Sequence, residues 1–95
     1  MRDHWDIRLK LDPMYGPHAM LEDHATLPAE MHNWLDDTNY SWNSGYLDMG
    51  TRHTDMNSGR PMLSLARYVR LYDRIAVLHF AAAWHEHVYP ARKSS

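Results

Sequence analysis

The amino-acid sequence predicts a small α+β domain, in which an antiparallel sheet of three to five strands carries two helices on one face. Three observations support this fold class: one segment alternates apolar and polar residues, two Asn-Ser-Gly triplets recur, and two further segments have helical apolar spacing. With 95 residues, the chain has room for one domain over residues 1 to 95, including a short basic tail at 91 to 95.

The first strand is predicted at residues 5 to 11, where apolar side chains alternate with charged ones, as in a strand with one buried face. Pro13, Gly16 and Pro17 end this strand, because proline and glycine mark turns. Residues 18 to 27 are expected to form a short helical turn, which Pro28 interrupts.

The first helix is predicted at residues 28 to 38. Pro28 suits the first helical position, Glu30 favours the positive amino end, and Met31, Trp34 and Leu35 share one face. The helix is therefore expected to bury that face against the sheet.

The two Asn-Ser-Gly triplets, at residues 43 to 45 and 57 to 59, predict hairpin loops. A three-residue loop ending in glycine suits a type I turn followed by a left-handed residue. Aromatic residues flank the first triplet, so residues 40 to 60 are expected to form a small antiparallel meander.

Residues 61 to 87 allow two interpretations. One is a single helix; the other is a strand at 67 to 72, Asp73 as the amino-terminal cap, and a helix from 74 to 88. The β-favouring Tyr68, Val69 and Tyr72 support the second. On that helix Val77, Ala81, Trp84 and Val88 share an apolar face, which Leu78 and Phe80 broaden.

Composition and charge exclude several classes of protein. The absence of cysteine excludes disulfide scaffolds and thiolate zinc sites. No apolar run reaches 18 residues and the amino terminus is charged, so a cytoplasmic protein without a membrane partner is expected. Residues 1 to 49 carry three basic and nine acidic side chains, whereas residues 50 to 95 carry seven basic and three acidic ones.

The stretch RYVRLYDR suggests a nucleic-acid site built from arginine and tyrosine. On a strand, alternate residues share one face, which could stack bases and contact phosphates. The residues of this hypothesis are Arg67, Tyr68, Arg70, Tyr72 and Arg74. A pI of about 6.4 is low for such a protein, and pairing with the acidic first half is the alternative use of these arginines.

A histidine cluster suggests metal binding as a further alternative. His79, His85 and His87 are the candidate ligands, since imidazole binds zinc, copper and nickel. His85 and His87 point about 200° apart if the segment is helical, so they would bind one ion only in an extended chain. No nucleotide-binding or nucleophile motif is present, so neither enzyme activity nor a cofactor is expected.

The aromatic content points to protein interaction as the leading function. Four tryptophans and six tyrosines are many for one small core, and surplus aromatic residues are typical of protein interfaces. Tyr40, Trp42 and Tyr46 are the predicted interaction surface, and the partner is another protein or a second copy of the chain.

The segment YVRLYDRIAVLHFAAAW resembles the closing part of short, uncharacterised proteins of tailed bacteriophages. The matching positions are Tyr72, Asp73, Ala76, Phe80 and Trp84. The opening strand and the tryptophan-bearing helix are also similar, so the resemblance covers about half of the chain. It implies a small viral accessory or structural protein that acts through its surface in the host cytoplasm, and it brings no catalytic residues.

Overall fold

The computed structural model describes residues 3 to 94 and confirms the α+β fold class. Its five strands are β1 (His4–Arg8), β2 (Met14–Gly16), β3 (Trp42–Thr54), β4 (Pro61–Leu71) and β5 (Arg92–Ser94). Its two α-helices are α1 (Ala29–Asp37) and α2 (Arg74–Ala83), and a 3-10 helix covers His18–Glu22, within the predicted helical turn. Among the described residues, no helix is long and apolar enough to cross a membrane.

Strand β4 is the centre of the antiparallel sheet. β3 pairs with it along one side, through the β3–β4 hairpin. The other side is shared by β1, which places Trp5 opposite Leu71, and by β2, which places Met14 opposite Leu65. β5 pairs with the outer side of β1. The first and last strands therefore lie side by side in the sheet.

Both helices pack on the same face of the sheet, as predicted. The main core joins Met31 and Leu35 of α1 to Phe80 of α2 over Ile7 and Val69 of the sheet. Fully burying a large apolar side chain contributes about 1.5–3 kcal/mol, so this layer supplies much of the stability. A second, smaller core lies under the 3-10 helix and contains Ala25, Tyr46, Leu63 and Leu65.

Residues 61 to 87 form a strand, a turn and a helix, so the single-helix alternative is wrong. Asp73 caps α2, because its carboxylate accepts a hydrogen bond of 2.9 Å from the Ile75 N–H. The helix ends at Ala83 rather than at 88, since Val88 forms an isolated bridge with Leu9 instead. Leu78 is 61% exposed and not part of the buried helix face.

The first Asn-Ser-Gly triplet lies inside β3 and is not a hairpin loop. Gly45 pairs with Tyr68 in the middle of the β3–β4 ladder. The second triplet does lie in the loop between β3 and β4, where Gly59 has a left-handed φ of 69°. A glycine in a strand marks a place where another group approaches the backbone closely, and at Gly45 that group is the Tyr68 ring.

The strands at the sheet margins also differ from the prediction. β1 ends at Arg8, and residues 14 to 16, expected to be a turn, form the short β2 between Pro13 and Pro17. Prolines flanking so short a strand cost no ladder hydrogen bonds within it. The basic tail is not wholly solvated, because residues 92 to 94 form β5 against β1.

Candidate functional site

The face of the sheet opposite the helices carries a cluster of arginine and tyrosine side chains. Ile7 and Val69 are fully buried towards the helices, so the alternating residues Asp6, Arg8, Tyr68 and Arg70 point the other way. We call this surface the open face. It is the candidate binding site because it exposes aromatic and charged groups together on rigid strands.

A groove of about 860 Å³ crosses the open face from β3 to the segment leading into β5. Its charged and aromatic lining comprises Asp6, Arg8, Tyr46, Tyr68, Arg70, Tyr89 and Arg92. Leu47, which is 47% exposed, adds an apolar wall. Ligand pockets commonly have volumes of about 300–1,000 Å³, so the groove is large enough for a small organic ligand or one unit of a polymer.

Tyr68 lies against the sheet because its cross-strand neighbour is a glycine. A β-carbon placed on Gly45 would approach the Tyr68 hydroxyl and ring to between 2.5 and 2.9 Å. The missing side chain therefore leaves the space that the ring occupies. The Arg70 guanidinium lies 5.6 Å from the centre of the same ring. The backbone at Gly45 therefore supports one side of the Tyr68 ring, and the Arg70 guanidinium lies near the same ring.

Arg70 is held by the neighbouring strand through Asp6. Its Nε and one Nη donate hydrogen bonds of 2.8 and 3.2 Å to the two carboxylate oxygens, a bidentate pair. The Asp6 carboxylate raises the pKa of Arg70 through these bonds, although partial burial opposes the shift. The Arg70 guanidinium is thus charged and held in a fixed orientation, and the Asp6 carboxylate balances most of its charge.

Arg8 has no such counter-ion among the described residues. Its Nε is buried and donates no hydrogen bond within the described part of the chain. The guanidinium lies 4.8 Å from the centre of the Tyr89 ring, and the Lys10 ammonium lies 5.4 Å from that ring. A partly buried cation without a carboxylate partner favours binding of an anion.

The charge asymmetry of the sequence becomes a spatial asymmetry in the fold. The groove and its margin hold Arg8, Lys10, Arg70 and Arg92 against one carboxylate, that of Asp6. Many of the remaining carboxylates lie on the helices or next to them: Asp23, Glu30, Asp36, Asp37, Asp73 and Glu86. The low overall pI therefore coexists with a basic groove.

The structure brings together only part of the predicted arginine and tyrosine site. Tyr68 and Arg70 line the groove, and Tyr72 lies beside the His4 ring, 6.3 Å between centres, beyond the end of β4. Arg67 lies on the helix-covered face and donates to the Thr26 carbonyl. Arg74 is the first residue of α2. Neither Arg67 nor Arg74 lines the groove.

The predicted interaction surface does not form one exposed patch. Tyr46 is 7% exposed and belongs to the second core, since residue 46 is on the face covered by the 3-10 helix, so it offers little exposed surface although it also borders the groove. Tyr40 and Trp42 are half-buried. The Tyr40 hydroxyl bonds to His79 Nδ1 at 3.0 Å, and the Trp42 indole donates to Asp36 at 3.3 Å.

The candidate metal ligands lie apart in the fold. His79 packs against Trp34 and Tyr40, His85 lies near Glu86, and His87 packs against Trp84. Within residues 3 to 94, no group of three or more potential ligand side chains could hold a metal ion.

Sequence patterns do not identify several groove residues. They indicate Arg8 only as a polar residue of an alternating strand. Tyr89 lies just beyond the predicted helix, and Arg92 lies in the predicted tail at 91 to 95. The signal for Arg8 is its even spacing from Asp6, which places both side chains on the face opposite the apolar ones. No local signal places Tyr89, because its position depends on the backbone bond from its N–H to the Arg8 carbonyl.

No protein family model, curated protein or solved structure matches this chain significantly. The resemblance to short phage proteins therefore stays a prediction.

Proposed function

We propose that the protein is a non-enzymatic module that binds single-stranded nucleic acid on its open face. The observation that carries this proposal is Arg8, a half-buried cation without a carboxylate partner in the described residues, in a groove lined by Tyr68 and Tyr89. A phosphate would satisfy the guanidinium, and the tyrosine rings offer surfaces on which bases can stack.

A single strand fits this surface better than a duplex. Tyr68 lies low on the sheet over Gly45, so it is placed to stack on an unpaired base rather than to enter a groove of a double helix. Reading a duplex requires a projecting helix or β-ribbon that fits the major groove. The open face is a sheet surface, and the two helices lie on its other side.

The test is binding of fluorescently labelled oligothymidine, measured by anisotropy over a range of salt concentrations. We expect binding at low salt that weakens as salt rises. Arg8→Gln should weaken it about tenfold, because a charged hydrogen bond contributes about 1.5–3 kcal/mol. The logarithmic salt slope should fall by about 0.7 for each phosphate that the variant no longer neutralises.

Arg74→Gln is the matched control, since it removes the same charge from α2, outside the groove. It should leave the affinity and the salt slope nearly unchanged. Absence of binding by the unaltered protein at low salt, or equal losses of affinity for the two variants, would contradict the proposal.

Protein interaction is a second candidate function, and a separate surface favours it. Ile75 and Leu78 lie one turn apart on α2 and are 67% and 61% exposed. Adjacent exposed apolar side chains on a helix are typical of interaction surfaces. Under this proposal α2 mediates self-association or contact with another protein in an assembly, such as that of a phage.

Light scattering coupled to size-exclusion chromatography tests the self-associating form. We expect a mass above that of one chain that returns to the monomer value on Leu78→Lys. Leu47→Lys is the control, because Leu47 is also an exposed leucine but lies on the open face. A monomer at all concentrations would exclude self-association through α2.

A further inference from the structure

The open face continues beyond the groove, along the first half of β4. Tyr15 of β2 pairs with Ser64, and His53 of β3 pairs with Met62. Positions 62 and 64 are separated from Tyr68 by even numbers of residues, so Tyr15 and His53 lie on the same face as the groove. Their rings meet across β4, with centres 4.3 Å apart and planes at 72°.

We propose that Tyr15 and His53 form a second stacking subsite, so that one nucleic-acid strand lies along β4 from the arginine groove to this aromatic pair. The inference rests on the proposed function and adds the course and length of the bound strand. Tyr15 is 54% exposed and is absent from both core clusters, so its ring is free to contact a base.

The open-face residues of β4 between the two subsites, Ser64 and Ala66, are small and uncharged. Both are buried at 6% exposure, and Leu47 beside them adds apolar area. Ser64 and Tyr68 are four positions apart on β4, or about 13 Å at the rise of an extended strand. Several nucleotides fit over this distance, since single-strand sites commonly hold about 4–16 nucleotides per domain.

The two subsites differ in charge, which gives each a distinct signature. The groove holds the arginines, whereas the nearest arginine to the pair in sequence, Arg52, lies opposite Leu63 on the helix-covered face and bonds to Asp48 at 2.9 Å. Tyr15 carries no positive charge, so its ring contributes stacking and no neutralisation of phosphate. Its removal should lower affinity without changing the dependence on salt.

The experiment compares oligothymidines of about 4 and about 10 nucleotides, within the range of single-strand sites. Tyr15→Ala should weaken binding of the longer strand about fivefold, as expected for the loss of one stacked base. Binding of the shorter strand and both salt slopes should stay the same. His53→Ala should act in the same direction, because His53 holds the Tyr15 ring.

Tyr40→Ala is the matched control, since Tyr40 is a half-buried tyrosine on the helix side and should not affect either oligonucleotide. Circular dichroism of each variant checks the fold. Equal effects of Tyr15→Ala on both lengths, no effect on either, or a change in salt slope overturns the second subsite while leaving the groove proposal intact. Failure of the unaltered protein to bind any oligonucleotide overturns both.

Discussion

Gly45 and Tyr68 face each other across β3 and β4, and this pair gives the open face its aromatic floor. Glycine is unfavourable in a strand interior, because it costs backbone entropy and leaves nothing to pack. At Gly45 the gap is filled by the Tyr68 ring from the next strand. The residue that looks weakest in β3 is therefore the one that positions the candidate base-stacking group.

Gly45→Ala should displace the Tyr68 ring and weaken oligonucleotide binding by about 1 kcal/mol, at the lower end of the value of one stacked base. The fold should persist, since the atoms that a β-carbon would meet belong to the end of a side chain. Anisotropy titration together with thermal melting measures both effects. Unchanged affinity would show that the orientation of Tyr68 does not matter for binding.

The Asp6–Arg70 pair balances one of the groove cations, so removing the carboxylate should strengthen anion binding. Asp6→Asn is expected to raise oligonucleotide affinity and to increase the salt slope by about 0.7, as Arg70 becomes available to a phosphate. Stability should fall by about 1 kcal/mol, since the pair is only partly buried.

Asp48→Asn is the control for this change. Asp48 pairs with Arg52 outside the groove, and its removal alters the net charge by the same amount. If both variants strengthen binding equally, the effect is one of net charge and not of Arg70.

The alternation of apolar and polar residues predicts which side chains of β1 face the core, but it does not predict the groove. The alternation at Ile7 and Leu9 correctly places the buried face, and Arg8 follows from it. The groove also requires Tyr89 and Arg92, which reach it through backbone pairing with β1 at the opposite end of the chain. Such long-range pairing leaves no local pattern, because the three residues of β5 are too few for periodicity.

Helix α2 begins at Arg74, as the sequence predicts, because Asp73 caps it. Its carboxylate satisfies the Ile75 N–H, one of the amino-terminal donors without a partner in the helix. Asp73→Ala should lower the free energy of unfolding by about 1 kcal/mol in urea denaturation. Asp37→Ala, at the carboxyl end of α1, should be neutral or slightly stabilising, because an acidic residue there opposes the helix dipole. Equal destabilisation by both would argue against capping.

The β3–β4 hairpin should be sensitive to acid through its loop. The Asn57 N–H and the Ser58 hydroxyl donate to Asp55, and these bonds lower the pKa of its carboxyl below the usual 3.8. The ionised form is therefore favoured in the folded state, and its contribution is present above the unfolded pKa and lost as pH falls through the folded pKa.

Asp55→Asn should remove this part of the acid dependence. Between about pH 5 and about pH 2 the melting temperature of the unaltered protein should fall further than that of the variant. Parallel curves would show that the loop carboxylate does not stabilise the hairpin.

The fold places opposite charges on opposite sides of the sheet, whereas the sequence only divides them between its two halves. The acidic helical layer and the basic groove lie on opposite sides of one sheet, because alternate residues of β1 and β4 point to opposite faces. This arrangement explains how a chain of net charge −2 presents a cationic groove. The pI of the whole chain therefore argues against nucleic-acid binding, although the local positive charge of the groove favours it.

The first and last strands pair with each other at one edge of the sheet, so removing the last strand should affect both stability and binding. β5 pairs with β1 and supplies Arg92 to the groove, and the segment before it supplies Tyr89. A chain truncated after Ala91 loses Arg92 and uncovers the outer edge of β1, which then becomes a template for pairing with other chains. We expect a lower melting temperature, greater aggregation at high concentration and weaker oligonucleotide binding.

A full-length chain with Arg92→Gln separates these effects. It should weaken binding as the truncation does but keep the melting temperature and solubility, because a strand pairs through its backbone. Melting curves, light scattering and anisotropy on the two proteins provide the comparison. If the truncated chain melts and scatters as the full-length chain does, β5 does not protect the edge of the sheet, and its contribution is limited to placing Arg92 in the groove.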